Sequence, residues 1–391
     1  MSAASIGHAR PPLSHSGWIR AWPIYPLLLF VLALFVYPVL QILVLSFFNQ
    51  AGSPSLANYA RVVHTPVYLL TLGITFEIAA WTTLFAILAG YPVAYLLATS
   101  TMRARGVLTL LVLMPFWTSF LVRTFAWMIL LGRNGVVNRL LLALGIIDAP
   151  ASLIFNFTGV MIGMVHSMMP LAIMAMLSVM DRIDGNLVKA ARTLGARGAH
   201  AFWRIYFRLS MPGLAAAGLL VFITALGFFI VPALLGGRRE TMISQIIISV
   251  VQELMDWRFA GALSVVLLAA SALVFWMYDR LLGMSTLSGD GAEPGRTGGG
   301  ILARAGAYAG ERLIALIGRV SDIVGTLWDK LARPRADRLG RGLSRGVLWF
   351  VAAIIILFLC LPSLFVIPVS FTAGRFITFP PQGFSLRWYA A

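Results

Sequence analysis

The chain has 391 residues, of which 60% are hydrophobic and only 11% are charged. Water-soluble domains do not reach this balance, so the composition indicates an all-α, polytopic membrane protein. The formal net charge of +16 is spread over short segments between apolar stretches. That distribution argues against nucleic acid as a partner, because DNA-binding proteins gather their basic residues on one polar face. With a single cysteine, Cys360, no disulfide framework forms, and we expect no metal site and no cofactor.

Seven stretches are long and apolar enough to cross a membrane. In chain order they are residues 24–48, 67–100, 107–131, 153–180, 214–235, 260–278 and 347–371. The first is expected to stay as an uncleaved anchor, because no short apolar region with a small-residue cleavage site precedes it. The sequence therefore predicts a bundle of seven membrane helices.

The basic residues predict the orientation of these spans. If the N-terminus is cytoplasmic, the inner segments hold 21 Lys and Arg residues and the outer segments hold 8. Because basic residues concentrate on the cytoplasmic side, we expect a cytoplasmic tail at 1–23. The polar segment 181–213 then also lies in the cytosol, where a second protein can reach it.

The last span repeats the first. The letters YPVL at 37–40 and SF at 46–47 correspond to LPSL at 361–364 and SF at 370–371, and SLANYA at 55–60 corresponds to SLRWYA at 385–390. Agreement on both sides of the membrane boundary favours a duplication over a chance likeness of two apolar helices. We expect a six-span unit at 24–283, a Gly/Arg-rich linker at 284–346 and the opening of a second unit at 347–391. Within the linker, residues 301–331 have the spacing of an amphipathic helix, lying on the inner membrane face or packed in a small cytosolic domain.

The cytoplasmic segment carries the most specific motif. It reads KAA at 189–191, Gly195, Ile205 and PG at 212–213, a spacing that resembles the Glu-Ala-Ala loop of ABC importer permeases. Five further motifs resemble the spermidine/putrescine branch of that family: GYPVAY at 90–95, PFWTS at 115–119, LVRTFAWM at 121–128, GVVN at 135–138 and PALLGG at 232–237. The resemblance covers about 58–279, and the tail at 379–389 is similar to the first outer segment of the partner permease.

The resemblance implies a permease whose cytoplasmic loop docks on an ABC ATPase dimer. The residues expected to couple the two are Lys189, Ala190, Ala191, Gly195, Ile205, Pro212 and Gly213. Small side chains permit close approach, Gly195 suits a helix–helix turn, and Pro212-Gly213 is expected to end the second short helix before the next span. Lys189 stands where the family usually has Glu, and Arg208 where many members have proline. The resemblance also implies a fusion of two permease subunits, cut short early in the second.

Ionisable and aromatic residues inside the spans are candidates for the substrate path. Glu77 and Arg123 lie within predicted spans, where an unpaired charge costs a few kcal/mol unless it is wet. They could form an ion pair with each other, or Glu77 could meet a cationic substrate. Trp117 and Trp127 could contact an ammonium through their rings or could be membrane anchors.

Three arginines are candidates on the outer side. Arg238, Arg239 and Arg258 border the longest complete outer loop. They could pair with the acidic surface of an external substrate-binding protein, or they could be a solvated charge run.

The expected function is that of a permease subunit of a polyamine importer, and not of an enzyme. No phosphate-binding glycine loop is present, so ATP hydrolysis would fall to a separate subunit. The expected partners are that ATPase, an external binding protein, a second permease unit and membrane lipid. Permeases of the same family for an opine, a phosphonate or iron stay open as alternatives. A secondary transporter is disfavoured by the single intramembrane carboxylate and the same-orientation repeat.

Overall fold

The computed structural model describes residues 24–49, 51–196, 201–282, 312, 319, 323, 339–374, 383–387 and 389. The helices are α1 (Ile24–Val31), α2 (Tyr37–Leu45), α3 (Ala57–His64), α4 (Pro66–Thr99), α5 (Met102–Leu113), α6 (Phe120–Leu131), α7 (Val136–Ala143), α8 (Phe157–Met180), α9 (Gly185–Thr193), α10 (Arg208–Leu226), α11 (Ile230–Leu235), α12 (Ile243–Gln252), α13 (Trp257–Leu282) and α14 (Leu339–Ser370). A π-helical turn, Leu32–Val36, joins α1 to α2, and a second one, Phe202–Phe207, leads into α10. The tail at 1–23 and the predicted amphipathic helix at 301–331 lie outside the described residues, apart from three isolated positions.

Seven helical segments in the described part are long and apolar enough to cross a membrane, which confirms the predicted number. They are Ile24–Leu45, Pro66–Thr99, Phe120–Ala143, Phe157–Met180, Phe202–Leu226, Trp257–Tyr278 and Arg345–Ser370. Five agree with the predicted spans to within a few residues. The third and the fifth differ, and each difference involves a proline.

The third predicted span, 107–131, is wrong as a continuous helix. Helix α5 ends at Leu113, a 3-10 turn covers Met114–Trp117, and α6 begins at Phe120. The Pro115 carbonyl accepts hydrogen bonds from both the amide and the hydroxyl of Thr118, at 3.2 and 3.0 Å. These bonds close the turn, so the helix stops instead of passing through the proline.

The expected helix end at Pro212-Gly213 is also wrong. Pro212 lies inside α10, which follows the Phe202–Phe207 turn directly and continues to Leu226. A proline removes one amide donor, and a membrane helix tolerates it where neighbouring helices pack around it. Gly213 lets α10 approach α8, because a Cβ atom there would lie 3.0 Å from the Val179 Cβ. The pair therefore serves helix packing instead of ending a helix.

The chain divides into two compact units, one formed by 1–64 with 249–266 and the other by 65–248 with 267–391. In the second unit, α4, α8 and α10 pack against one another, and α14 packs against α4 and α6. Helix α8 is the most buried of the spans. Close packing of α4 on α8 requires Gly90, where a Cβ atom would lie 3.1 Å from the side chains of Ile173 and Met176.

The segments that follow α2 and α14 have the same local structure. After α2, the Ser46 hydroxyl bonds the Tyr59 hydroxyl at 2.6 Å, and the Ser55 amide donates to the Phe47 carbonyl at 2.7 Å. After α14 the corresponding bonds join Ser370 to Tyr389 at 2.6 Å and Ser385 to Phe371 at 2.7 Å. The aromatic pairs Phe47–Tyr59 and Phe371–Tyr389 also correspond, with ring centroids 5.1 and 5.5 Å apart.

Candidate coupling hairpin and translocation path

The first arm of the segment 181–213, which the sequence predicts to be cytoplasmic, is the short helix α9. The Asp184 carboxylate caps its start by accepting the Asn186 amide at 2.9 Å. At its end Gly195 has φ +90°, and the amides of Gly195 and Ala196 bond the carbonyls of Arg192 and Ala191. A backbone in this region suits glycine, because a side chain there would be strained. The expected helix–glycine turn is thus confirmed.

Helix α9 presents an unusual surface for a polar segment. Leu194 is 89% exposed and Leu187 is 48% exposed, although both are large apolar side chains. Lys189 and Ala190 are exposed beside them, and Ala191 is half-buried. Exposed apolar residues grouped on one element mark a surface for another protein.

An ion pair braces the root of this arm. The Arg105 guanidinium donates two hydrogen bonds to the Asp181 carboxylate, at 2.7 and 2.5 Å. These bonds raise the pKa of Arg105. Because both side chains are about one-third exposed, the pair contributes at most about 1 kcal/mol to stability. Its effect is geometric, since it ties the first turn of α5 to the connection between α8 and α9.

Aromatic rings brace the second arm. Tyr95 of α4 packs edge-to-face on Phe202 and Tyr206, with ring centroids 5.2 and 4.8 Å apart. One turn earlier, Tyr91 packs on Phe202 and Phe207, and its hydroxyl bonds the Ser210 hydroxyl at 3.0 Å. Ile205 is half-buried in the same turn. We call the rings of Tyr91, Tyr95, Phe202, Tyr206 and Phe207 the aromatic clamp.

The sequence reasoning missed this clamp and the Arg105–Asp181 pair. Tyr91 and Tyr95 belong to the GYPVAY motif at 90–95, which indicated the family but no role for either ring. Their spacing of four residues puts both rings on one face at the end of a helix, which is a signal that could have singled them out. The acidic partner of Arg105 lies 76 residues away, and no sequence spacing points to it.

The structure does not join Glu77 to Arg123. Glu77 is exposed on α4, on the face opposite the buried residues Thr75, Ile78 and Ala79. No ion pair connects the two side chains in the described part of the chain. One turn after Glu77, Trp81 is 41% exposed and stacks on Phe85 at 5.6 Å. A carboxylate and an indole thus follow one another on the exposed face of α4.

The other path candidates lie in different environments. Arg123 is 2% exposed, its guanidinium lies 4.3 Å from the Phe120 ring centroid, and its Nε has no hydrogen-bond partner. Trp127, one turn later on α6, is buried between His166 and Phe358 at centroid distances of 5.5 and 5.1 Å. Trp117 is 71% exposed at the end of the 3-10 turn. Of the two tryptophans, only Trp117 is accessible to a solute.

The three arginines predicted to contact a binding protein differ in exposure. Arg238 and Arg239 are exposed on a 3-10 turn, whose start is held by the Gly237 amide, which donates to the Glu240 carboxylate at 2.9 Å. Arg258 lies at the start of α13, half-buried, with an Nε that has no hydrogen-bond partner. The side chains of Arg238 and Arg239 are thus accessible, whereas that of Arg258 is partly covered.

Comparison with known proteins identifies close relatives, although no family model matches the chain. The spermidine/putrescine transport system permease protein PotB of Escherichia coli K12 is 36% identical over 261 residues, which cover 64% of this chain and 94% of that protein. PotB of Salmonella typhimurium SL1344 is also 36% identical, with 91% of its length covered. PotB of Haemophilus influenzae is 32% identical, with 87% covered.

Two solved structures share the fold. A bacterial ABC transporter involved in import of the acidic polysaccharide alginate matches with a TM-score of 0.54 at 17% identity, covering 67% of this chain and 97% of that chain. An alginate ABC transporter in complex with a pentasaccharide-bound periplasmic protein matches with a TM-score of 0.57 at 17% identity, covering 70% and 99%. The solved structures thus share the fold, and the PotB relatives establish the family that the motifs indicated. The chain belongs to the family of spermidine/putrescine ABC importer permeases.

Proposed function

We propose that this chain is the membrane permease subunit of a polyamine importer that is driven by a separate ATPase. The observation that carries the proposal is the cytoplasmic hairpin, which runs from α9 through the Phe202–Phe207 turn. Its first arm exposes the apolar side chains of Leu187 and Leu194. Contacts with α5 and α4 hold the roots of its two arms. An element that is exposed along one arm and held at its roots can pass a movement from a docked protein to the spans.

Docking on the ATPase dimer would use Lys189, Ala190 and Ala191, with Gly195 holding the turn. The two alanines let a partner surface come close to the α9 backbone. Lys189, whose ammonium donates to the Asn186 side chain at 3.2 Å, adds a positive charge to this surface. The partner groove should therefore be apolar with an acidic residue near Lys189.

Polyamines as substrates are supported by the names of the relatives and by Glu77. Glu77 lies about 16 Å along α4 from Pro66, so it is well within the span. A carboxylate in contact with lipid at such a depth costs about 2.5–3.5 kcal/mol on insertion scales. An exposed and unpaired Glu77 is consistent with a water-filled path, where it can attract a passing ammonium. Trp81 one turn away and Trp117 at the break of the third span would offer ring faces to the same cation.

The buried candidates have a different role in this proposal. Arg123 has no acidic partner in the described part of the chain, so its charge repels cations and would help to keep them on the Glu77 side. Trp127 fills the core beside His166 and positions α6.

An external binding protein would deliver the substrate. Arg238 and Arg239 are exposed where the chain turns between α11 and α12, and Arg258 lies at the start of α13. Arginines on an outer surface can steer an acidic protein into place. The solved alginate transporter is itself in complex with a periplasmic protein.

A second permease unit would complete the pore, with the N-terminus in the cytosol. The matching contacts that follow α2 and α14 support the view that α14 is the first span of that second unit. The 21-to-8 distribution of basic residues supports the orientation.

Uptake of radiolabelled putrescine and spermidine tests the function. Bacteria that lack their own polyamine permeases would express the full chain together with the ATPase and binding protein of a polyamine importer. We expect uptake that requires ATP and that stops when the two exposed leucines of α9, Leu187 and Leu194, are changed to Glu. Uptake of an opine, a phosphonate or iron in place of polyamines would refute the substrate assignment. Unchanged uptake by the Glu variants would refute the docking role of α9.

A further inference from the structure

An apolar groove lies between α14 and the pair α4 and α5. Its volume is about 310 Å³, and the residues that line it include Leu108, Leu111, Trp349, Ala353, Ile356 and Cys360. On α14 the lining extends from Trp349 to Cys360, which is about 16 Å of helix. That length is about half of the hydrocarbon thickness of a bilayer. The groove thus runs the depth of one leaflet.

The shape and lining of the groove suit a hydrocarbon chain. Apolar side chains line it along about 16 Å of α14, a length over which an extended acyl chain can lie.

Positive charge lies at one end of the groove. Arg345 is exposed one turn before Trp349 on α14, and Arg103 is exposed in the first turn of α5, five residues before Leu108. Neither arginine forms an ion pair in the described part of the chain, whereas the nearby Arg105 is paired with Asp181. This end of the groove is thus basic, and its Trp349 side chain is 38% exposed at the level where membrane proteins carry aromatic anchors.

We propose that this groove binds one phospholipid with an anionic headgroup. One acyl chain lies along α14 from Trp349 to Cys360, and the phosphate lies between Arg103 and Arg345. Basic pockets between membrane helices are suited to anionic headgroups. The bound lipid fills the space between α14 and the helices α4 and α5.

Native mass spectrometry of the full-length chain tests the proposal. The protein, purified in a mild detergent, would be incubated with equal amounts of phosphatidylglycerol and phosphatidylcholine. We expect one retained phosphatidylglycerol, preferred over phosphatidylcholine by about fivefold, as one basic residue near an anionic lipid provides. Ala353→Trp fills the groove and should abolish retention, whereas Ala269→Trp, on an exposed face of α13, should not. Equal retention by these two variants would refute the groove as the site.

The charge at the basic end has its own control. The double variant Arg103→Gln and Arg345→Gln should remove the preference for phosphatidylglycerol, and Arg133→Gln, in an exposed turn elsewhere, should keep it. Equal binding of both lipids by the wild-type protein would refute the proposal that the bound lipid has an anionic headgroup.

Photo-crosslinking locates the lipid independently. Phosphatidylglycerol with a diazirine in its acyl chain should label the segment from Trp349 to Cys360, and Ala353→Trp should lose that label. Labelling spread evenly over other spans would contradict a defined site. Neither measurement uses transport. A wild-type chain that takes up polyamines but binds no lipid would refute only this inference, and a wild-type chain that binds the lipid but takes up no polyamine would refute only the proposed function.

Discussion

At the scale of single residues, exposure separates side chains that look equivalent in the sequence. Glu77 and Arg123 are both ionisable residues inside spans, yet Glu77 is exposed and Arg123 is 2% exposed. Trp117 and Trp127 differ in the same way, at 71% and 4%. The exposed member of each pair can reach a solute, whereas the buried member is in contact with neighbouring rings.

Substitution of Glu77 by Gln is expected to lower polyamine uptake roughly tenfold, which corresponds to the loss of one charge contact of about 1.4 kcal/mol. The shape of the side chain is kept, so the amount of protein in the membrane and the ATPase activity stimulated by the binding protein should not change. Initial rates of uptake in cells, normalised to protein amount, measure the effect.

Glu253→Gln is the matched control, because Glu253 is an exposed carboxylate just after α12 and outside the spans. Equal uptake by the Glu77 and Glu253 variants would contradict a role of Glu77 in the path.

At the scale of elements, the hairpin matters because both of its arms are tied to other helices of the unit. The Arg105–Asp181 pair ties the first arm to α5, and the aromatic clamp ties the second arm to α4. A loop without such contacts would absorb the movement of a docked protein instead of passing it on. At the end of the first arm, Gly195 turns the chain with φ +90°, and no other atom lies within contact distance of its Cβ position.

Tyr95→Ala is expected to uncouple transport from ATP hydrolysis. It removes two ring contacts, each worth about 0.5–1.5 kcal/mol, and loosens the second arm from α4. The number of polyamine molecules taken up per ATP hydrolysed, measured in proteoliposomes with the ATPase and binding protein, should fall.

Tyr91→Phe is the control, because it keeps the rings and loses only the hydroxyl bond to Ser210; its transport ratio should stay near that of the wild type. If Tyr95→Ala lowers uptake and hydrolysis in the same proportion, the clamp stabilises the fold without linking the two events.

At the scale of the whole molecule, α14 is held to the other helices of its compact unit by polar as well as apolar contacts. The His166 ring bonds the Leu359 carbonyl at 3.0 Å, and the Thr118 hydroxyl bonds that of Ser363 at 3.2 Å. Ala352 and Leu359 are fully buried in the same core as residues of α4 and α8. Inside a membrane, close packing and such hydrogen bonds are what hold helices together.

We therefore expect α14 to stay bound after the covalent connection is cut. A protease site introduced at 298–300 would be cleaved in the purified protein, and the fragment with α14 should elute with the remainder on gel filtration. Ala352→Leu overpacks the buried contact at a cost of about 1–3 kcal/mol and should release part of the fragment. Leu364→Ala, at a side chain 47% exposed, should not. Release from the unaltered chain would show that the linker alone holds α14 in place.

The sequence by itself determined the membrane class, the number of spans, the turn at Gly195 and, through its motifs, the family. These properties depend on composition and on spacing within a few residues. Most span boundaries could be predicted for the same reason, because the hydrocarbon thickness of the bilayer sets how many consecutive apolar residues a spanning helix needs.

Only the tertiary structure decided which prolines break a helix and which charges pair. Pro115 ends a helix while Pro212 lies inside one, because the outcome depends on the hydrogen bonds and neighbours that each proline finds. Arg105 pairs with Asp181, while Glu77 and Arg123 stay apart. Contacts of this kind join residues far apart in the chain, and they arise from the packing of whole helices, on which local sequence patterns carry no information.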